Sequence, residues 1–339
     1  MPYSYDYQWI GRPRQPSVRD SEIEEVAQEL YRLDQSGERF GSVVRDTFDQ
    51  LYDGQRTGRW NFDQLYKTEK THMGTLVEIN LQRTFDFADG DATDYRIAGF
   101  EVDCKYSMKP GEWTLPPEVI GRIALVVTAN DRQSIWAAGL VRVRVEYLRL
   151  GRNRDQKSSL LAAARPNISW LWNGTNNLAP NLFLHIDPAV RDRIFAARAP
   201  RGSRHGQARV NELFRSVQRR IIRRAELATV AQQDDFMKRA RNNGGARERL
   251  RPEGILVLGH HDCDIEVADA LGLAIPAAGE FVSVRVAPTS PGTSRRAVNI
   301  TGSWWAIAEE GEAAVFAPDI ERRADVEGCP GLSDRAQQT

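Results

Sequence analysis

The sequence predicts a mixed α/β protein in two domains, the first with helices around a mixed sheet and the second a winged helix-turn-helix domain. Three observations point there. At 339 residues the chain has room for two domains of about 100–200 residues each. The hydrophobic period runs from helical to strand-like in the first half, and that order recurs in the second. Between the halves, from Pro166 to Asn181, Asn, Gly, Pro and Trp cluster without periodicity. The expected organisation is therefore a first domain at 1–172, a linker at 173–185, a second domain at 186–325 and a polar tail at 326–339.

The elements follow in order. Ser21-Glu22-Ile23-Glu24 reads as a capping box with Ser21 at the N-cap, opening a helix whose Ile23, Val26, Ala27, Leu30 and Tyr31 share a face. A second amphipathic run carries Val43, Val44, Phe48, Leu51 and Tyr52 and stops at Asp53-Gly54. A third helix spans about Lys70 to Phe85. The period then changes: Tyr95-Arg96-Ile97 and Phe100 to Tyr106 flank Ala98-Gly99 at hairpin spacing. Ile123 to Ala129 is apolar throughout, as a strand buried on both faces is, and Val141, Val143 and Val145 alternate with charged residues as a half-exposed strand. In the second half, Asp187-Pro188 starts a short helix. Helical segments follow at about Gln207 to Arg219, Arg224 to Ala231 and Gln233 to Asn242, then strands at Ile255 to Leu258 and Phe281 to Val286. Three short helices followed by a hairpin is the layout of a winged helix-turn-helix.

Composition narrows the class. Apolar residues make up 41%, charged residues 27%, and the formal net charge is zero, as in ordinary globular proteins. The run Ile123 to Ala129 is too short to span a bilayer, and the polar N-terminus lacks a secretory signal's apolar stretch, so a cytoplasmic protein with no membrane partner is expected. Three widely spaced cysteines outline no disulfide framework. The neutral total hides an uneven distribution. Arg201 to His260 holds fourteen Lys/Arg against six Asp/Glu, a polyanion-binding surface or a solvated helical face.

The chemistry concentrates at Asp103-Cys104-Lys105. On a strand, residues two apart share a face, so Asp103 and Lys105 point together, toward solvent, while Phe100, Val102, Cys104 and Tyr106 line the core. The neighbouring strand can bring Asp94 beside Asp103. Paired carboxylates repel unless a cation intervenes, and hard oxygen ligands favour Mg²⁺. Lys105 beside that metal can hold or deprotonate an attacking water. Glu78, on the preceding helix, can reach the cluster, and the Cys104 carbonyl is a further candidate ligand. Chemistry alone leaves a surface salt bridge as the alternative. Asp155-x-Lys157 repeats the triplet without a second acid at strand spacing. His260-His261-Asp262-Cys263-Asp264 has metal-capable side chains but no second cluster at zinc spacing, and is expected to be a polar turn. Of Trp304 and Trp305, at least one should be core.

The run Gly74-Thr75-Leu76-Val77-Glu78-Ile79-Asn80, with Thr93-Asp94-Tyr95, Ile97-Ala98-Gly99 and Val102-Asp103-Cys104-Lys105, resembles the NaeI family of type II restriction endonucleases. The similarity continues through Leu51 to Arg59, Leu115 to Glu118 and Ala138 to Val141. It reappears at Asn211 to Arg215, Asp235 to Arg239 and Pro252 to Ile255, spanning about residues 20–320. It implies a PD-(D/E)xK restriction-endonuclease-like domain joined to a winged helix-turn-helix domain. It also implies an Mg²⁺-dependent homodimer that cuts palindromic, GC-rich double-stranded DNA after binding two copies of the site. By motif, Glu78, Asp94, Asp103 and Lys105 are the implied active site; Thr93 stands where the wider motif has proline. A nicking enzyme, a nuclease that requires or tolerates modified cytosine, and a catalytically silent DNA-binding regulator are the alternatives.

Expected DNA contacts lie in two places. In the first domain, the loop residues Arg152, Asn153, Arg154, Asp155 and Lys157 are candidates to read base edges. In the second, Arg219, Arg220, Arg223 and Arg224 crowd the first helices, Lys238, Arg239 and Arg241 lie on the expected recognition helix, and Arg249 and Arg251 at the wing.

Overall fold

The computed structural model describes residues 19–149, 157–202 and 205–320, which divide into two compact units. The first comprises the chain to Tyr52 and Asn61–His185; the second comprises Asp53–Trp60 and the chain from Ile186 onward. Among the described residues no helix is long and apolar enough to cross a membrane.

The first unit opens with α1 (Ser21–Leu33) and α2 (Glu38–Tyr52). The N-cap of α1 is Asp20, one residue before the expected Ser21. Its carboxylate accepts from the Ile23 N–H and also pairs with Arg142 at 2.9 Å, so a charged acceptor with its own partner takes the cap. Residues 53–60, with the one-turn helix α3 (Gly54–Thr57), belong to the second unit. Helix α4 (Lys67–Phe85) begins three residues earlier than its apolar pattern indicates, because the Glu69 carboxylate accepts from the Tyr66 N–H at 2.8 Å and closes an extra polar turn.

Strands β1 (Ala88–Asp89), β2 (Tyr95–Ile97) and β3 (Phe100–Ser107) follow α4. Then come β4 (Thr114–Leu115), β5 (Ile123–Asn130), β6 (Ile135–Arg142), β7 (Ser158–Ser159) and β8 (Ser169–Asn177). Six of them form one sheet in the order β1-β2-β3-β5-β6-β8, antiparallel except for the β3–β5 pair. The β2–β3 turn is the expected two-residue one: Ala98 and Gly99 both have positive φ, 52° and 86°, as a type I′ turn requires. Strand β5 is buried along its whole length. Ile123, Leu125 and Val127 pack with α1, α2 and α4, while Ala124 and Val126 join Trp113, Leu115 and Val119 on the opposite face.

Two expectations change here. The strand expected at Val141–Glu146 instead ends at Arg142, and Val145 stands 67% exposed in a 3₁₀ turn. The true strand lies upstream, where both faces are covered and the pattern is continuous rather than alternating. The expected linker 173–185 is also structured. It holds the end of β8, paired to β6, and the short helix α5 (Leu182–His185), both within the first unit.

The second unit contains α6 (Pro188–Ala196), α7 (Gly206–Ser216), β9 (Ile221–Ile222) and α8 (Arg224–Ala231). These precede α9 (Ala246–Arg249), β10 (Ile255–Leu258) and α10 (Asp262–Ala270). It closes with β11 (Phe281–Thr289), β12 (Ala297–Ile300) and β13 (Ser303–Ile307). The sheet order is β10-β11-β13-β12, and β9 also pairs with β11. The helix expected at Gln233–Asn242 is reduced to a 3₁₀ turn, Phe236–Arg239. Left-handed backbone at Gln232 and at Asn243-Gly244 brackets it, which ends helical hydrogen bonding on both sides. The expected polar turn at His260–Asp264 instead starts α10. Asp264 is fully buried there, accepting the Gly259 N–H at 2.9 Å and pairing with Arg247 at 2.5 Å. Trp305 is core, as expected of one of the tryptophan pair. Cys104 is a free, buried thiol, whereas Cys263 is disulfide-bonded, a pairing that the wide spacing of the cysteines did not outline.

Candidate active site

The β2–β3 hairpin and α4 bring the four acid and lysine positions together. Register pairs Tyr95 with Val102, so the preceding residue, Asp94, stands opposite Asp103. Parallel pairing places Asp103 beside Ala124 and Lys105 beside Val126, on the sheet face away from α4, while Val102 and Cys104 enter the helical core. Asp94 is held by the strand it faces: its Oδ2 accepts the Cys104 N–H at 2.7 Å. Glu78 is partly buried on α4, whose backbone is tied to the hairpin because the Tyr95 hydroxyl donates to the Glu78 carbonyl at 2.7 Å.

One ammonium sits among these groups. Lys105 Nζ lies 2.8 Å from Asp103 Oδ2 and 3.3 Å from Asp94 Oδ2, and donates to the Cys104 carbonyl at 2.8 Å. Asp103 is only 4% exposed, not turned to solvent as expected; its cross-strand neighbour Ala124 belongs to the buried cluster that Trp113, Leu115 and Val119 form on that face of the sheet. Its Oδ2 is buried and receives no hydrogen bond; the ammonium is near in distance but not aligned as a donor.

The electrostatics are those of a site short of positive charge. Burial raises the Glu78 carboxyl to about 7, reinforced by the Asp94 charge. Burial likewise raises Asp103 to about 6, with Lys105 opposing it and Asp94 and Glu118 adding repulsion. Lys105 is desolvated, yet Asp103 and Asp94 outweigh that and hold it above its ordinary value. Among the described residues no three His, Cys, Asp or Glu side chains are gathered as a finished ion cage. The residues nevertheless fit a hard divalent cation: two carboxylates and a backbone carbonyl already converge on one positive charge, the lysine's own, and one buried oxygen lacks a donor.

Sequence reasoning missed Glu101, which shares the β3 face with Asp103. Its carboxylate accepts from the backbone N–H groups of Asp91, Ala92 and Thr93 at 2.9, 3.0 and 3.1 Å, and from the Thr93 hydroxyl at 3.0 Å. These bonds hold it down at about 2. The available signal was its cross-strand pairing with Arg96.

The expected DNA contacts are scattered by comparison. Arg152, Asn153, Arg154 and Asp155 lie outside the described residues, and Lys157 is partly buried just before β7. In the second unit Arg219, Arg220, Lys238 and Arg241 are exposed. Arg224 is exposed with its guanidinium over the Phe236 ring. Others are engaged internally. Arg223 pairs with Glu226 at 3.0 Å and Arg239 with Asp235 at 2.5 Å. The two arginines expected at a wing lie before β10 instead: Arg249 on α9, donating to the Gly244 carbonyl, and Arg251 donating to the Ala317 carbonyl at 3.0 Å.

Residues 24–316 match the family model described as restriction endonuclease NaeI. The chain is also 56% identical over 312 residues to the type II restriction enzyme NaeI of Lentzea aerocolonigenes, covering 92% of this chain and 98% of that protein. With its mixed α/β fold and its carboxylate–lysine cluster on a strand pair, the chain belongs to the NaeI restriction endonuclease family.

Proposed function

We propose that this chain is a sequence-specific endonuclease that hydrolyses both strands of double-stranded DNA with Mg²⁺ as cofactor. The observation that carries the reading is the convergence of Asp94, Asp103 and the Cys104 carbonyl on a single cation. Those three groups, with Glu78, would hold the metal. The chemistry such a cation would supply is positive charge toward the phosphate and easier ionisation of water. Asp103, on β3, and Asp94, on the turn just before β2, fix the position of the site. Lys105, kept protonated by its two acids, orients the attacking water and steadies the growing phosphate charge. Water attacks phosphorus directly, with no covalent bond to the protein.

Cutting a palindrome across both strands calls for two such sites, which a homodimer supplies by symmetry. The second unit binds a further copy of the DNA site. Its exposed cations at Arg219, Arg220, Lys238 and Arg241 support that, as does a β9-β11-β10 sheet beside short helices, the arrangement of a winged helix. The test is cleavage of plasmid DNA with Mg²⁺ or EDTA, followed by sequencing of the ends. Discrete double-strand ends at one short palindrome are expected, lost in Asp103→Asn. Random ends, or full cleavage by that variant, would overturn the reading.

A further inference from the structure

We propose that Glu101 is a positioning residue whose carboxylate shapes the turn that presents Asp94 to the active site; the inference rests on Asp94 acting there. The segment between β1 and β2 is short and irregular, yet it must set one carboxylate within hydrogen-bonding distance of the Cys104 N–H. Backbone of that kind is ordered only if its polar groups find partners. Three consecutive N–H groups, of Asp91, Ala92 and Thr93, all find Glu101, Oε1 taking the first and Oε2 the other two, with the Thr93 hydroxyl also on Oε2. Arg96 holds the far side of the carboxylate, donating to Oε1 at 2.9 Å, and Arg122 lies 3.4 Å from Oε2. Glu101 is on β3 two residues before Asp103, so the strand that carries one acid also anchors the turn that carries the other.

Thr93 is informative in this setting. A proline there would stiffen the approach to Asp94 through its fixed φ but would have no N–H to donate. Threonine donates twice to Glu101, through N–H and hydroxyl, so rigidity comes from hydrogen bonds rather than from a ring. Glu101→Gln keeps the side chain's shape but replaces one acceptor oxygen with an NH₂ group, which faces donors. The turn is then released while the strand pairing stays.

The experiment uses the full-length protein and two readouts. The first is Mn²⁺ binding without DNA, followed by electron paramagnetic resonance. The second is single-turnover cleavage against Mg²⁺ concentration. Loss of an outer group that orients a metal ligand typically weakens metal affinity by about 10–100-fold. Glu101→Gln is expected to weaken Mn²⁺ binding by about tenfold and raise the half-saturating Mg²⁺ to match. The saturated rate and the DNA affinity in Ca²⁺ should stay near wild type. Thr93→Val, which loses only the hydroxyl, should fall between, and it decides the matter if Glu101→Gln does not fold. Wild-type Mn²⁺ affinity in both variants, or a rate loss that no Mg²⁺ concentration restores, overturns the proposal. Asp94→Asn separates the two readings: if that variant still cuts, the active-site assignment fails, whereas a dead Asp94→Asn beside an unperturbed Glu101→Gln refutes the positioning role alone.

Discussion

Replacing Lys105 with Met keeps most of the length and apolar stem of the side chain but deletes the ammonium between Asp94 and Asp103. At an effective dielectric of about 20, unit charges attract by about 6 kcal/mol at 2.8 Å and about 5 kcal/mol at 3.3 Å. Desolvation of the ammonium offsets most of that, and deleting one member of a buried pair costs about 3–5 kcal/mol. Lys105 and Asp94 are 21% and 20% exposed, which puts the expected loss at the low end, about 3 kcal/mol. In EDTA at neutral pH, Lys105→Met should therefore unfold at markedly lower urea. Tryptophan fluorescence is the probe, since Trp113, Trp136 and Trp172 are all buried in the first unit. Two conditions should restore stability. At pH 5 the Asp103 carboxyl, already near 6 with the lysine present, takes up a proton and removes one of the uncompensated charges. Millimolar Mg²⁺ should restore it by replacing the missing charge. Cleavage should be lost throughout. A stability loss that neither pH nor Mg²⁺ changes would refute the view that the ammonium occupies a cation site.

Further outcomes are expected. Glu78 has a folded value near 7, above its unfolded one near 4.5, so its contribution to stability is complete below about 4.5 and is lost as pH rises through 7. Urea midpoints of the metal-free protein should fall over that window, and Glu78→Gln should flatten the fall. Lys238→Ala and Arg241→Ala, at exposed positions of the second unit, should each lower the salt dependence of log K for DNA by about 0.9 if each side chain neutralises one phosphate; an unchanged slope would place the contact elsewhere. Ala98→Asn should raise stability by about 0.5–1 kcal/mol, because φ of 52° strains alanine more than asparagine; a loss measured by urea denaturation would contradict the turn assignment.

Much of the first unit is written locally. A period of two fixes which side chains share a face, so Asp103 with Lys105, and Val102 with Cys104, follow from spacing alone. The hairpin that sets Asp94 opposite Asp103 follows equally from Ala98-Gly99 between two short strands. The continuous apolar run of β5 announces burial on both faces, as found. What the sequence could not decide are matters of competition and cover. Whether Ser21 or Asp20 caps α1 depends on Arg142, 122 residues away from the cap. Whether residues 173–185 form a linker or an edge strand depends on β6 offering hydrogen bonds to Ser169–Asn177. The burial of Asp103, and hence its raised carboxyl, goes with the tertiary cluster of Trp113, Leu115 and Val119 around its register neighbour Ala124. The basic residues of the second unit divide in the same way. Sequence shows the excess of arginine, but only the fold pairs Arg223, Arg239 and Arg251 internally and leaves Arg219, Arg220, Lys238 and Arg241 exposed. Charge and period are properties of the chain; partnership is a property of distance, and distance is settled only when the chain has folded.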